Sequence, residues 1–195
     1  MKTQVLKERD YVEWHGGIEQ YGFWCMKISD AGWLQNISEL QGLLQPILLA
    51  GYSRFAHITV ATVGLMSPHK WSVVERQMKA MQAIKVGAVH LGWRGFASYH
   101  HSPIIRVYCQ TSSLTTIRAC LHQVCVGDDN PPYDPHITLG YYAQQLDISA
   151  VYQSVKPKEP MDAIQQVPVT ELLFCTYNTT SIKGPIKIQQ VLPLE

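Results

Sequence analysis

The chain has 195 residues, enough for one domain with a sizeable core and too few for a string of modules. Hydrophobic residues make up 46% and charged residues 16%, with a formal net charge of +1, which excludes a disordered polyelectrolyte and a protein that coats long nucleic acids with a basic face. The longest apolar run, around Leu43 to Ala50, falls far short of the roughly 20 residues that cross a bilayer.

The charged start, MKTQVLKERDYVEW, lacks the apolar core of a secretory signal, so a cytoplasmic protein is expected. Five scattered cysteines (Cys25, Cys109, Cys120, Cys125, Cys175) with no C-x-x-C pair fit free buried thiols in a reducing compartment. Residues 1–20 read as an extension punctuated by Gly16 and Gly17. The aromatic run Tyr21 to Ile28 reads as a buried strand. Ser38 and Gln41 form a capping-box pattern, and Ile37, Leu40, Leu44 and Ile47 recur at helical spacing, predicting a helix over about 37–49.

Phe55 to Val63 is a second strand, and Ser67-Pro68 opens a helix with Trp71, Val74, Met78 and Met81 on one face. Val86 to Leu91 and Ile104 to Cys109 read as strands around a loop, GWRGFASYHHSP. A helix over about 112–125 follows, apolar at Leu114, Ile117, Leu121 and Val124. The turn-rich VGDDNPPYDP leads into a strand from His136 to Tyr142, then a short helix from Asp147 to Val155. Strands Val167 to Tyr177 and Pro185 to Leu192 end the pattern. Strands and helices alternate irregularly, which is an α+β class.

Two of these strands open on the same words. FAHITVATVG and PPYDPHITLGYY each carry His-Ile-Thr followed by an aliphatic residue, about eighty positions apart. Residues i and i+2 of a strand share a face, so His57 projects with Thr59 and His136 with Thr138, while Ile58 and Ile137 turn into apolar packing. His100-His101-Ser102 fits the looser His-x-Ser pattern, but Pro103 and its loop setting mark it as a coincidence. No third His, Cys, Asp or Glu stands at ligand spacing beside either copy, so a zinc site is the weaker reading. Two imidazoles suit acid–base work near neutral pH, one taking a proton while the other gives one, and the two hydroxyls suit the charged oxygens of a phosphodiester.

On these motifs the chain resembles the 2H phosphoesterase superfamily, in its 2'-5' RNA ligase-like branch. Tyr133-Asp134-Pro135-His136-Ile137-Thr138-Leu139 is similar to the family's second motif, and the likeness covers nearly everything after about residue 20. The resemblance implies a bilobal fold, with two antiparallel sheets facing each other across a central groove and helices outside, residues 21–195 forming that domain behind an extension of residues 1–20. It implies cleavage of 2',3'-cyclic phosphates or 2'-5' linkages in nucleotides or RNA ends without a metal or cofactor. The near-neutral charge points to a nucleotide, short oligonucleotide or RNA end as partner, and a monomer that binds neither membrane nor long DNA is expected. His57 and His136 would be acid and base, and Thr59 and Thr138 the phosphate ligands. The order of acid and base stays open. So do a nucleotide-binding module without catalysis, an ATP-independent 2'-5' RNA ligase and a hydrolase of cyclic oligonucleotide messengers.

Among supporting residues, Tyr133 and Tyr141 are candidates for stacking a base, with core or rim packing as the alternative. Arg54 is a candidate for phosphate neutralisation, with the capping of a solvated loop as an equal alternative, and Arg94, Tyr99 and Arg106 are candidates for a groove wall that binds substrate. Trp14 and His15, in the stretch from Tyr11 to Gly17, would form either a lid or an ordered extension packed on a lobe.

Overall fold

The computed structural model describes residues 1–6, 12–128, 132–159 and 165–194. In strand β1 (Gln20–Lys27), Trp24 and Met26 point to one face and Phe23 and Cys25 to the other, and all four are buried. A strand buried on both faces belongs at the middle of a sheet. It lies between β2 (His57–Leu65) and β7 (Glu171–Asn178), antiparallel to both.

The full sheet has eight strands in the order β6-β3-β4-β5-β2-β1-β7-β8. The others are β3 (Val89–Ser98), β4 (Pro103–Cys109), β5 (His136–Thr138), β6 (Val167–Val169) and β8 (Lys187–Pro193). The two expected sheets are therefore the two four-strand halves of one continuous antiparallel sheet. They join where Ile58 of β2 pairs with Ile137 of β5. Strands β6 and β7 stand near opposite ends of the order yet only Thr170 separates them in sequence, so the sheet curls until its ends approach. Leu194 N–H donating to the Thr170 carbonyl at 2.8 Å ties that junction.

The longer helices pack on one face of the sheet. Helix α1 (Val12–His15) is a single turn, while α2 (Ala31–Leu44), α3 (Pro68–Gln82), α4 (Ser113–Val124) and α5 (Ile148–Val155) send buried stripes into one core. Trp33, Ile37, Leu40 and Leu44 of α2, Ile117 and Leu121 of α4 and Val151 and Val155 of α5 meet Trp24, Met26, Ile58, Val60, Ile105 and Ile137 there. The opposite face carries a smaller cluster of Phe23, Cys25, Leu173, Cys175 and Ile186 and leaves the middle of the sheet to polar residues.

Several boundaries move. Helix α2 begins at Ala31 because Asp30 caps it, its Oδ1 accepting from the Trp33 N–H at 2.8 Å, and Ser38 lies inside the helix. The loop expected at GWRGFASYHHSP is mostly β3. Its glycines read as breakers, but Gly92 makes room for the Tyr108 ring laid across it, and Gly95, at φ 127°, follows a bulge. Strand β5 is only three residues long, since Gly140 at φ 153° turns the chain away. The strand expected from 167 to 177 is two strands, one in each half. Of the expected turn, residues 129–131 lie outside the described residues, as does Tyr11 of the N-terminal stretch.

Ile58 and Ile137 are both fully buried at the seam between the halves. Ile137→Ala should cost about 2–5 kcal/mol, the range for an aliphatic truncation in a packed core, read as a lower urea midpoint at unchanged m-value. A loss below about 0.5 kcal/mol would show that the seam contributes little.

Candidate active site

Both motif histidines turn one ring nitrogen onto their own backbone. His57 Nδ1 lies 2.8 Å from the Phe55 carbonyl oxygen and His136 Nδ1 lies 2.7 Å from that of Asp134. A carbonyl oxygen only accepts, so each Nδ1 carries the hydrogen and each neutral ring keeps its lone pair on Nε2. The two imidazoles are thus set in the same tautomer by the same local device, a contact to the residue two positions back.

Register then brings the motifs together. Partner numbers in an antiparallel ladder keep a constant sum, so the pairing of Ile58 with Ile137 sets His57 across from Thr138 and Thr59 across from His136. Directly opposed residues share a face. All four motif side chains therefore lie on the face away from the longer helices, as two diagonally related His/Thr pairs. Among the described residues no hydrogen bond to another side chain or backbone group occupies the Oγ1 of Thr59 or Thr138.

The flanking strands add a cation on each side. Lys27 of β1 pairs with His57, and Arg106 of β4 pairs with His136. Lys27 is exposed and holds its Nζ 5.5 Å above the Phe55 ring. The sequence alone did not single it out; only the register of β1 against β2 does. Arg106 stands where expected, its Nε 3.1 Å from Oδ2 of Asp134, which also accepts from the Tyr99 hydroxyl at 2.9 Å. The Tyr99 ring meets His136 edge-on at 5.0 Å, and burial together with the Asp134 bond and charge pushes its phenol up to about 12.

Two tyrosines cross the seam. Tyr52, five residues before His57, donates to the Thr138 carbonyl at 3.1 Å, and Tyr133, three before His136, donates to the Thr59 carbonyl at 2.9 Å. Each motif is thus tied by a residue upstream of the other. The Tyr133 ring also lies 4.3 Å from the Arg118 guanidinium, which donates to the Val60 carbonyl. The contacts of Tyr133 are those of a brace between strands. Tyr141 meets Tyr52 edge-on at 5.8 Å, and the Arg54 guanidinium carbon lies over the Tyr177 ring, 4.2 Å from its centroid, with the buried Nε lacking a hydrogen-bond partner among the described residues. Arg94 is the extra residue of the β3 bulge and is exposed.

The surroundings of the two imidazoles differ. His57 is 6% exposed, with Phe23 at 5.6 Å and Phe55 at 5.5 Å. Burial drives its pKa down to about 4, the Phe55 carbonyl opposing and the charges of Arg54 and His136 adding to the fall. His136 is half-buried; burial lowers its pKa too, with the Asp134 carbonyl bond and carboxylate working against the fall. Among the described residues, no three His, Cys, Asp or Glu side chains gather as a metal-ligand set, and no helix is long and apolar enough to cross a membrane.

Paired His-x-Thr strands at the centre of a curled antiparallel sheet, backed by helices, make this a 2H phosphoesterase-like fold. The chain belongs to the 2'-5' RNA ligase superfamily, whose family model matches residues 29–180. No curated protein matches by sequence. Among solved structures, a Thermus thermophilus protein superposes with a TM-score of 0.64 at 10% identity, over 89% of this chain and 97% of that one. E. coli LigT complexed with 3'-AMP gives 0.59 at 14% identity, over 90% and 98%, and the same protein complexed with NADP+ gives 0.55 at 14% identity, over 90% and 98%. At these identities the likeness is one of fold.

The depressed pKa of His57 makes a stability prediction. Between pH 6.5 and about 4 the unfolded chain takes up a proton that folded His57 refuses, so stability falls as pH falls through that window. The slope from this residue is at most about 1.4 kcal/mol per pH unit. Urea titrations at pH 7 and pH 5 should show the difference, and His57→Gln should shrink it; an unchanged difference would contradict the buried neutral imidazole.

Proposed function

We propose that the chain is a metal-independent phosphodiesterase that cleaves 2',3'-cyclic phosphates or 2'-5' phosphodiester bonds in nucleotides or RNA ends by two-histidine acid–base catalysis. The observation that carries this reading is the placement of two imidazoles, each with Nδ1 held and Nε2 open, across from two threonine hydroxyls on one face of the sheet. Membership of the superfamily and the complex of E. coli LigT with 3'-AMP support a nucleotide in that position.

One Nε2 takes the proton of the attacking water as its oxygen bonds to phosphorus. The other Nε2 protonates the ribose oxygen as the opposite P–O bond breaks. Negative charge on the non-bridging oxygens meets the Thr59 and Thr138 hydroxyls and the cations of Lys27 and Arg106, a set of fixed donors that does not need to reorganise during the step.

The unequal surroundings support one order of roles. His57, wedged between phenylalanines and near the Arg54 cation, resists protonation and is the base. His136 is more exposed and neighbours the Asp134 carboxylate, which favours its charged form, so it is the acid.

His57→Ala and His136→Ala should each lower kcat by about 10²- to 10⁴-fold with the circular dichroism spectrum retained. Thr59→Val or Thr138→Val should cost about 10²-fold. Turnover of nucleoside 2',3'-cyclic phosphates and 2'-5'-linked dinucleotides should persist in EDTA; full activity in either histidine variant would overturn the assignment. Ligand binding without turnover of any substrate would instead favour a non-catalytic module, and net joining of RNA halves without ATP would favour a ligase.

The pH profile gives a separate check. Activity needs His57 neutral and His136 protonated, and both free-enzyme pKa values lie below 6.5. The kcat/KM optimum should therefore fall on the acidic side of 6.5, with a rising limb near pH 4 and a decline toward neutral pH. A profile still rising above pH 7 would sink the assignment of His136 as acid.

A further inference from the structure

A line of aromatic rings runs from His57 to a side chain outside the residues matched by the family model. Phe23 touches His57 at 5.6 Å, Tyr177 meets Phe23 at 6.1 Å, Tyr21 meets Tyr177 at 5.3 Å, and Trp14 meets Tyr21 at 6.3 Å. Tyr21, Phe23, Cys25 and Lys27 alternate along β1 on the face that Lys27 shares with His57. Six residue steps of strand separate Tyr21 from Lys27, about 20 Å of path.

Trp14 is held in place, not carried on a loose tail. His15 beside it is buried, and its Nδ1 accepts from the Gly17 N–H at 3.1 Å. Gly16 and Gly17 take φ values of 53° and 79°, which close the turn behind the helix. The chain is then pinned at Ile18, whose carbonyl accepts from the Thr179 hydroxyl at 2.8 Å, and at Glu19, whose carbonyl accepts from the Thr179 N–H at 3.0 Å. Trp14 nonetheless remains 39% exposed, and Tyr21 and Tyr177 are half-buried. A large apolar ring left in the open on a pinned segment is not explained by packing alone.

Charge is distributed unevenly along this line. Lys27 and the Arg54 guanidinium stacked on Tyr177 lie at the His57 end, while the Asp128 carboxylate accepts from the Tyr21 hydroxyl at 2.8 Å at the other. The first end suits phosphate. The second suits the uncharged faces of bases, with a carboxylate placed to accept from an amino or hydroxyl group. A cationic site continued by aromatic platforms is how proteins hold single-stranded nucleic acid without reading its sequence.

From this we propose that Trp14 and Tyr21, beside the Tyr177 ring that Arg54 covers, form a stacking subsite for a short single-stranded oligonucleotide whose reacting phosphate lies at the histidine pair, so that the preferred substrate has two or more nucleotides. The assignment rests on the phosphodiesterase reading for the location of the reacting phosphate. It does not rest on it for binding.

The test is calorimetric titration of oligoribonucleotides of one, two, three and four residues, each ending in a 2',3'-cyclic phosphate, into a His57→Ala/His136→Ala double variant that binds without turnover. Affinity should rise at least about 10-fold from one residue to three, and adding Trp14→Ala should remove roughly 5-fold or more of that gain, the low end of what a stacking ring contributes. Trp14→Phe should keep most of it, and thermal melts of all variants identify any that misfold. No gain with length, or a gain that Trp14→Ala leaves intact while the variant is folded, would overturn the subsite. Turnover of a cyclic mononucleotide by the wild-type chain with no length preference would leave the phosphodiesterase reading standing and remove only this one. Trp14-dependent binding without turnover of any substrate would do the reverse.

Discussion

One short seam holds the site together. Strand β5 contributes only His136, Ile137 and Thr138, and its pairing to β2 is centred on Ile58 opposite Ile137. Both isoleucines are buried on the helix side, which forces the histidines and threonines to the other side. A slip of one residue would exchange the two faces, placing imidazoles in the core and isoleucines in the site, so burial of the isoleucine pair fixes the register on which the proposed chemistry depends. The reciprocal bonds of Tyr52 and Tyr133 to the opposite motif's threonine carbonyl secure a ladder too short to hold by itself.

The two halves of the site repeat a backbone plan and diverge in environment. Each supplies His, Thr, a cation on the next strand and a carbonyl two residues before the imidazole. Around His57 the neighbours are phenylalanines; around His136 they are a carboxylate, a phenol and a guanidinium. Identical groups in unlike surroundings separate in proton affinity, which is the condition that the two opposite proton transfers of the proposed reaction require.

The repeated His-Ile-Thr was legible because period-two alternation and its pairing of polar and apolar residues are local properties. The α+β class, the boundaries of α3, α4 and α5 and the free state of the cysteines follow from equally local signals. Features set by tertiary pairing were not legible. Lys27 gains its place only from the register of β1 against β2, and Tyr52 from a bond that spans 86 positions. Gly92 and Gly95 suggest a loop to any local reading, because what they accommodate, a tyrosine ring and a bulge, comes from the strand opposite or from the ladder itself. Asp30 outcompeted Ser38 as a helix cap because the apolar stripe of α2 extends back to Trp33.

The exchange of strands at Thr170 has a bearing on how the chain is assembled. Strands β3, β4, β5 and β6 form one unbroken stretch, whereas β1 and β2 must wait for β7 and β8 to be made before their side of the sheet is complete. Until then β1 presents an unpaired edge of buried-type residues, the surface through which nascent chains associate with one another. Because the completing strands are contributed late and across a long loop closure, folding of the His57 side is expected to be the slow event, and yield in the cell should depend more on synthesis rate and chaperone supply than on the equilibrium stability of the finished protein.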